Sequence, residues 1–349
     1  MFAPKFDYHK VSSVAEAIQL LSANDGAKFI AGGHSLIPLL KLRLARPTAL
    51  IDIGGIADLK RITVNSGTVR IGALATHWDI AASHDVERAC SMLTQVAGGI
   101  GDPQVRNRGT IGGNVVHADP ASDWPAVLTA LNARFVIQGP GGASRTAAPG
   151  DFFLGPLTTN LADNELLTAV EVPSFAANQS SEYAKIAHPA SGYAVVGAAV
   201  VVTLDGDRCT AASVVVGGLV PAPVKALSVE RALTGEILNV ENIMAASDQV
   251  ANDLGGEVIG DFYASAEYRR AMAAVEIRHA LFHITGEAHI GSRAVSVLHA
   301  VQDVTVESEA IPVFDPSSIA DPAPSSQPTE SLVSEHQSRK RWWEFWRRS

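Results

Sequence analysis

Gly98-Gly99-Ile100-Gly101-Asp102-Pro103-Gln104-Val105-Arg106-Asn107-Arg108-Gly109-Thr110-Ile111-Gly112-Gly113-Asn114 is the stretch on which the reading of this chain turns. It continues as His117-Ala118-Asp119-Pro120-Ala121-Ser122-Asp123-Trp124-Pro125. The glycines exclude a regular apolar stripe and leave backbone bare, as a close approach to a ligand requires. A second segment of the same kind lies earlier: Ala31-Gly32-Gly33-His34-Ser35, directly after the strand-like Lys28-Phe29-Ile30. Each Gly-Gly pair adjoins small polar side chains, and each segment follows or interrupts sequence that reads as strand. Two such loops suggest two backbone cradles for one elongated, doubly charged ligand. A dinucleotide fits, although neither segment spells the G-x-G-x-x-G fingerprint.

A phosphate needs several N–H donors converging with no side chain in the way, which paired glycines permit. Ser35, Thr110 and Asn114 add hydroxyl or amide groups, and a helix starting after the loop adds a favourable dipole. A single glycine pair is more often a turn. Two, each flanked by polar residues and strands, favour a pyrophosphate.

Outward from these segments the chain reads as three units. Residues 1–55 give strand–helix–strand: Val14–Leu21 at helical spacing, the strand Lys28–Ile30, a helix Leu36–Leu44 that Ser35 can cap, and the strand Leu50–Ile53 closed by Gly54-Gly55. Residues 56–173 give a strand at Val69–Gly72, a mostly helical Trp78–Ala97 and an irregular Gly98–Gly109. A helix starting at Ser122 or Asp123 follows, with Pro125 in its first turn, then strands at Arg134–Gln138 and Leu166–Val172. Residues 174–300 give three antiparallel strands, Tyr183–Ala187, Ala194–Leu204 and Ala211–Val216, the last two joined at Asp205-Gly206. Helices Glu241–Leu254 and Ala266–Ile284 follow, the second striped by Met272, Val275, Ile277 and Leu281.

Composition narrows the function. With 47% hydrophobic and 18% charged residues the chain has ample material for a core, and a net charge of −9 argues against nucleic acid as the main partner. The only cysteines, Cys90 and Cys209, have no paired spacing and read as buried structural thiols, so the sequence offers no iron–sulfur or zinc motif. His279 and His283 sit four apart on a helix, but Leu281 and Phe282 mark it as packed rather than metal-binding. Asp58, Asp79 and Asp85 read as solvated or capping carboxylates. No basic-then-apolar leader and no membrane-length apolar run is visible, so a cytoplasmic protein is expected. Residues 301–337 are rich in Pro, Ser, Ala and Asp and read as a disordered linker. Residues 338–349 are a basic-aromatic tail, Ser338-Arg339-Lys340-Arg341-Trp342-Trp343-Glu344-Phe345-Trp346-Arg347-Arg348-Ser349, suited to an anionic membrane face or a partner groove.

The run from Gly98 to Pro125 resembles the signature of the FAD-binding medium subunit of molybdenum hydroxylases, the xanthine dehydrogenase and aerobic carbon monoxide dehydrogenase group. The first loop, continuing as Leu36-Ile37-Pro38-Leu39-Leu40-Lys41-Leu42-Arg43, is similar to the same family. So are Lys185-Ile186-Ala187-His188-Pro189-Ala190-Ser191-Gly192-Tyr193 and the helix around Tyr268-Arg269-Arg270. The likeness runs from Tyr8 to about Gly286 and is nearest the carbon monoxide dehydrogenase type, on Gly101–Gly109 and His188–Ser191. It implies an α+β fold: a two-part FAD-binding domain of the vanillyl-alcohol-oxidase-like type, then a C-terminal α+β domain with a three-stranded antiparallel sheet and helices.

Position by position, the resemblance implies that Phe29, Ile30, Ala31, Gly32, Gly33, His34, Ser35 and Leu36 wrap the FAD pyrophosphate and ribityl chain. Thr110, Ile111, Gly112, Gly113 and Asn114 would form the second cradle, and Ile100 would pack near adenine or flavin. Asp123 would accept a hydrogen bond from the adenosine part; on sequence alone it is equally a helix cap. Leu167 and Lys185 would lie beside the isoalloxazine, and Tyr193 would stack near it. A Gly-Gly-His-Ser segment holds a covalent flavin in another branch of the fold, but this family implies non-covalent FAD at His34. It also implies a molybdopterin-binding large subunit and a small subunit with two [2Fe-2S] clusters, in a dimer of heterotrimers. This chain would then relay electrons to a quinone, NAD or oxygen. A stand-alone flavoenzyme of the same fold and a membrane-recruited adaptor are the rival classes.

Overall fold

The computed structural model describes residues 2–286. The linker and the basic-aromatic tail lie outside these residues, as does the end of the third unit.

The first layer is a small parallel sheet. Strands β1 (Asp7–Lys10), β2 (Lys28–Ile30) and β3 (Ala49–Asp52) are arranged β1-β3-β2, with helix α1 (Val14–Ala23) crossing between the first two and α2 (Leu36–Lys41) between the second and third. Helix α1 starts where Ser13 Oγ accepts the Glu16 N–H, while the Glu16 carboxylate takes the Ser12 N–H. Central β3 buries Ala49, Leu50 and Ile51, as a parallel strand covered on both faces should. Its last residue, Asp52, accepts the Gly54 N–H at 2.8 Å and so turns the chain out of the sheet. Helix α2 ends three residues earlier than its pattern suggests, with Arg43 in the left-handed region, and the Ser35 side chain does not cap it.

The second layer is a five-stranded antiparallel sheet. It contains β4 (Ile62–Asn65), β5 (Thr68–Gly72), β6 (Arg134–Gln138), β7 (Ser144–Ala147) and, after α9 (Pro149–Phe152) and the two-stranded β8 (Phe153–Gly155) and β9 (Thr158–Thr159), the central β10 (Leu166–Pro173). The order is β4-β5-β10-β6-β7. Between β5 and β6 the stretch read as one long helix is broken into α3 (His77–Ala81), α4 (His84–Ala89) and α5 (Ser91–Gly98). Ser83 caps α4, and Cys90 adopts an extended conformation, so each break has a local cause. The region read as irregular contains α6 (Pro103–Arg106), capped by Asp102. The second glycine segment is the first turn of α7 (Ile111–His117), reached from α6 rather than from a strand. In α8 (Asp123–Ala130) all eight residues are buried.

The third layer has four strands where three are expected from the pattern: β11 (Gln179–Ala187), β12 (Ala194–Asp205), β13 (Arg208–Gly217) and the two-residue β14 (Val224–Lys225), in that order and antiparallel. Two residues are too short to carry a period of their own, so β14 is invisible in the pattern. The hairpin turns at Gly206-Asp207, with Gly206 at φ +58°. Nine consecutive buried residues in β12 show no alternation because both faces are covered. Ala199 and Val201 pack into the core shared with α8 and β6. Val196, Ala198, Val200 and Val202 pack under α10 (Leu227–Leu233), α11 (Val240–Asp248) and α12 (Ala266–Thr285). Helix α11 is shorter than its pattern and continues as one 3-10 turn, Gln249–Asn252. Helix α12 buries Ala273, Ile277, Ala280 and Leu281, so the apolar face is shifted from the Met272–Val275 edge.

Candidate functional site

A cavity of about 470 Å³ opens at the C-terminal ends of β2 and β3, where open parallel sheets place their ligands. Of the residues singled out by sequence, Phe29, Ala31, Gly32, Gly33, His34, Ser35, Leu36, Ile100, Thr110, Gly112, Gly113, Asn114, Asp123, Leu167 and Tyr193 line it. Ile30, Ile111 and Lys185 do not. Ile111 is fully buried in the core of the second layer.

The two glycine segments meet at the wall. A Cβ on Gly32 would lie 2.1 Å from Arg108 O and 3.0 Å from Gly109 Cα, so only glycine allows the first segment to touch the second. Gly33 has φ +76°, the left-handed region. Among the described residues, the N–H groups of Gly32, Gly33, His34 and Ser35 have no hydrogen-bond acceptor. His34 leans back on its own loop, Nδ1 donating to Gly32 O at 3.0 Å.

The second segment is wired differently from the expected cradle of free N–H groups. Ile111 N–H donates to Ala75 O, Gly112 N–H to Ala73 O, Gly113 N–H to Thr110 Oγ1 and Asn114 N–H to Thr110 O. Gly112 is a packing glycine: a Cβ there would lie 2.5 Å from Ala73 Cβ. What this segment offers the cavity is side-chain chemistry. Thr110 retains its hydroxyl proton. Asn114 is oriented by Ser122, whose Oγ–H donates to Asn114 Oδ1 at 2.5 Å, leaving the Asn114 amide N–H groups to donate elsewhere.

Asp123 and Lys185 form one buried cluster. Asp123 Oδ1 accepts from the Tyr183 hydroxyl and Oδ2 from Lys185 Nζ, each at 2.7 Å. Lys185 Nζ also donates to Gly99 O and Gly192 O, so its three protons are placed within the chain. The lysine therefore ties strand β11 to the turns at Gly99 and Gly192, a positioning role, and its ammonium is not on the cavity wall. Asp123 does line the wall, but its side chain does not cap α8: Ser122 occupies the cap position. Burial pushes the Asp123 carboxyl above its ordinary range, against the pull of Lys185 and Tyr183. Burial likewise raises the Tyr193 hydroxyl, with Asp119 and Asp123 adding to it.

Sequence reading missed several wall residues: the apolar Leu39, Ile53, Leu74, Val116, Leu161 and Leu166, and the polar His77 and Ser122. Leu161 and Leu166 come from a loop and strand start with no motif. The Thr76-x-x-Asp79 capping box beside His77 closes with both bonds made and fixes the start of α3, but it marks only a helix start and not the place of His77 on the wall. Asp79 is thus a capping carboxylate, whereas exposed Asp58 and Asp85 pair with Arg61 and Arg88. Both cysteines are buried and free. Among the described residues no group of three or more His, Cys, Asp or Glu is placed to hold a metal, and no helix is long and apolar enough to cross a membrane.

Comparison with known proteins assigns this architecture. The family model described as the FAD binding domain in molybdopterin dehydrogenase matches residues 4–175, and that of the CO dehydrogenase flavoprotein C-terminal domain matches residues 181–284. The carbon monoxide dehydrogenase medium chain of Hydrogenophaga pseudoflava is 37% identical over 288 residues, covering 80% of this chain and 97% of the relative. This chain belongs to the FAD-binding medium-subunit family of molybdopterin dehydrogenases. Another member, the glyceraldehyde dehydrogenase medium chain of Sulfolobus acidocaldarius, is 36% identical across 79% of this chain and 96% of its own length. The nicotine 6-hydroxylase medium subunit of Paenarthrobacter nicotinovorans is also 36% identical, across 80% and 98%. In the solved structure of carbon monoxide dehydrogenase from Hydrogenophaga pseudoflava, one chain superposes with a TM-score of 0.78 at 38% identity, covering 83% of this chain and 100% of that one. Medium-subunit membership makes this chain an FAD-dependent oxidoreductase subunit with an FAD-binding domain and a CO dehydrogenase type C-terminal domain.

The residues present fit FAD. The bare Gly32–Ser35 backbone suits a diphosphate, since a Cβ would close the approach at Gly32. The apolar Ile53, Leu74, Ile100, Leu161 and Leu167 suit flat ring systems.

Proposed function

We propose that this chain is the electron-transfer subunit of a heterotrimeric molybdenum hydroxylase, binding FAD non-covalently in the cavity between the two glycine segments. The observation that carries this reading is the run of four N–H groups, Gly32 to Ser35, that have no acceptor among the described residues, on the wall of a cavity that also presents Thr110 and Asn114 and a set of apolar side chains. Those N–H groups, with Thr110 and Asn114, would hold the diphosphate. Leu167 and Ile100 would sandwich the ring systems, and Tyr193 would close the outer side. The Asp123–Lys185–Tyr183 cluster would keep β11 and the Gly192 turn in register with the cavity. The redox chemistry supplied by bound FAD is transfer of electrons from the [2Fe-2S] clusters of a small subunit to quinone, NAD or oxygen. No side chain here needs to act as an acid or base on the substrate, which would be oxidised on a molybdopterin-binding large subunit. The relatives named for carbon monoxide, glyceraldehyde and nicotine supply the substrates to assay.

Two measurements test this. Acid precipitation should leave FAD in the supernatant and a colourless polypeptide; yellow protein would contradict non-covalent binding at His34. The flavin-loaded chain alone should show no turnover of carbon monoxide, glyceraldehyde or nicotine with an artificial acceptor, and full turnover by it alone would overturn the subunit reading.

A further inference from the structure

One buried polar group on the cavity wall is not explained by either glycine segment. His77, the first residue of α3, is only 2% exposed. Its backbone N–H donates to Gly109 O at 3.0 Å. The indole N–H of Trp124 lies 3.2 Å from His77 Nδ1. Indole is a donor only, so Nδ1 must present its lone pair, and the proton of the neutral ring sits on Nε2. Burial, reinforced by His34 and Arg106, brings the His77 pKa down to about 4, so the ring is neutral at working pH.

The Cδ2–Nε2 edge faces the junction of the two glycine segments. A Cβ on Gly109 would lie 2.9 Å from both of those atoms, and Gly32 packs against the Arg108–Gly109 peptide. Both glycines and His77 line the cavity. Nε2 has no acceptor among the described residues. A purely structural buried histidine would have both nitrogens matched within the protein. Here the inner nitrogen is matched and the outer one carries a proton at the cavity seam.

We propose that His77 is a cofactor-binding residue whose Nε2–H donates a hydrogen bond to a diphosphate oxygen of FAD. This rests on reading the cavity as the FAD site. The Trp124 indole holds the ring in the donor tautomer, so the group presents a proton without bringing a formal charge into the cavity. Trp124 is thus a positioning residue.

The test is calorimetric titration of the flavin-free chain with FAD, ADP and riboflavin. His77→Asn keeps an oxygen to accept the Trp124 N–H and removes the outer donor, whereas His77→Gln places an amide N–H near Nε2. His77→Asn should weaken FAD and ADP by about tenfold or more and leave riboflavin unchanged, with His77→Gln within about threefold of wild type. Long-range proton–nitrogen spectra of the wild type should show the Nε2–H tautomer, its proton moving downfield on adding ADP. A cooperatively melting His77→Asn that binds FAD and ADP like the wild type would overturn the proposal. So would an equal loss for riboflavin, or an Nδ1–H tautomer. If His77→Asn does not fold, His77→Gln and the spectra decide. Failure of the wild type to bind FAD or ADP would instead overturn the reading of the cavity.

Discussion

Gly32-Gly33 and Gly112-Gly113 occupy facing parts of one wall and use the same residue for different ends. In Gly32–Ser35 the backbone turns through a left-handed Gly33 into a right-handed Ser35, and four N–H groups have no acceptor among the described residues. In Thr110–Asn114 the backbone is helical, and the N–H groups from Ile111 onward are consumed by Ala75, Ala73 and Thr110. At Gly112 the missing side chain makes room for Ala73. The teaching is that a glycine pair signals close approach, and only the hydrogen-bond ledger of its neighbours shows what is being approached.

Substitutions should separate the two roles. Gly32→Ala forces a methyl onto the Arg108 carbonyl, which is backbone and cannot swing aside. FAD affinity should fall by about a hundredfold, measured by fluorescence titration. Gly112→Ala overpacks against Ala73 and should cost about 2 kcal/mol of folding stability in urea unfolding, with FAD affinity in the folded protein changed far less. An equal loss of affinity in both variants would break the distinction.

The same contrast between cavity and core extends to buried ionisable groups. On the far side of β12, Glu276 is 4% exposed, and burial raises its pKa to about 7. Raised above the unfolded value, the folded carboxyl binds its proton more tightly, so stability is present at low pH and is lost as pH rises from about 4.5 to 7. His279 Nδ1 lies 3.1 Å from the Glu276 carboxylate. The loss should be about 1–2 kcal/mol in denaturant titrations, and Glu276→Gln should flatten it. The smallest effect belongs to Gly33→Ala. The new methyl crowds the Ile37 side chain, which can rotate away, and touches Ile30 Cδ1 at ordinary contact distance, so the main cost is the left-handed backbone, about 1 kcal/mol by unfolding, with an affinity loss of about fivefold or less.

The first segment was legible because its signal is local: a strand, a Gly-Gly pair and a small polar residue within a few positions. So were the β12–β13 hairpin and the buried, unalternating β12. The second segment misled because Ala73 and Ala75, which take its N–H groups, lie almost forty residues upstream. Lys185 was placed on the cavity by resemblance, but its Nζ is held by Asp123, Gly99 and Gly192, partners set by long-range packing rather than by spacing. His77 went unread for the same reason: its outer nitrogen matters only once Trp124, 47 residues away, is known to occupy the inner one. Helices α3, α4 and α5 ran together in the pattern because their breaks, at Ser83 and Cys90, sit inside otherwise continuous helical sequence.

The central claim is that the Gly32–Ser35 amides receive the cofactor diphosphate. Amide hydrogen exchange of the full chain, with and without FAD, tests it most directly. The amides of Gly32, Gly33, His34 and Ser35 should exchange fast without FAD and become protected with it, while those of Ile111 to Asn114 should be protected in both states. Tight FAD binding that leaves residues 32–35 exchanging fast, or that newly protects residues 111–114 instead, would contradict the account.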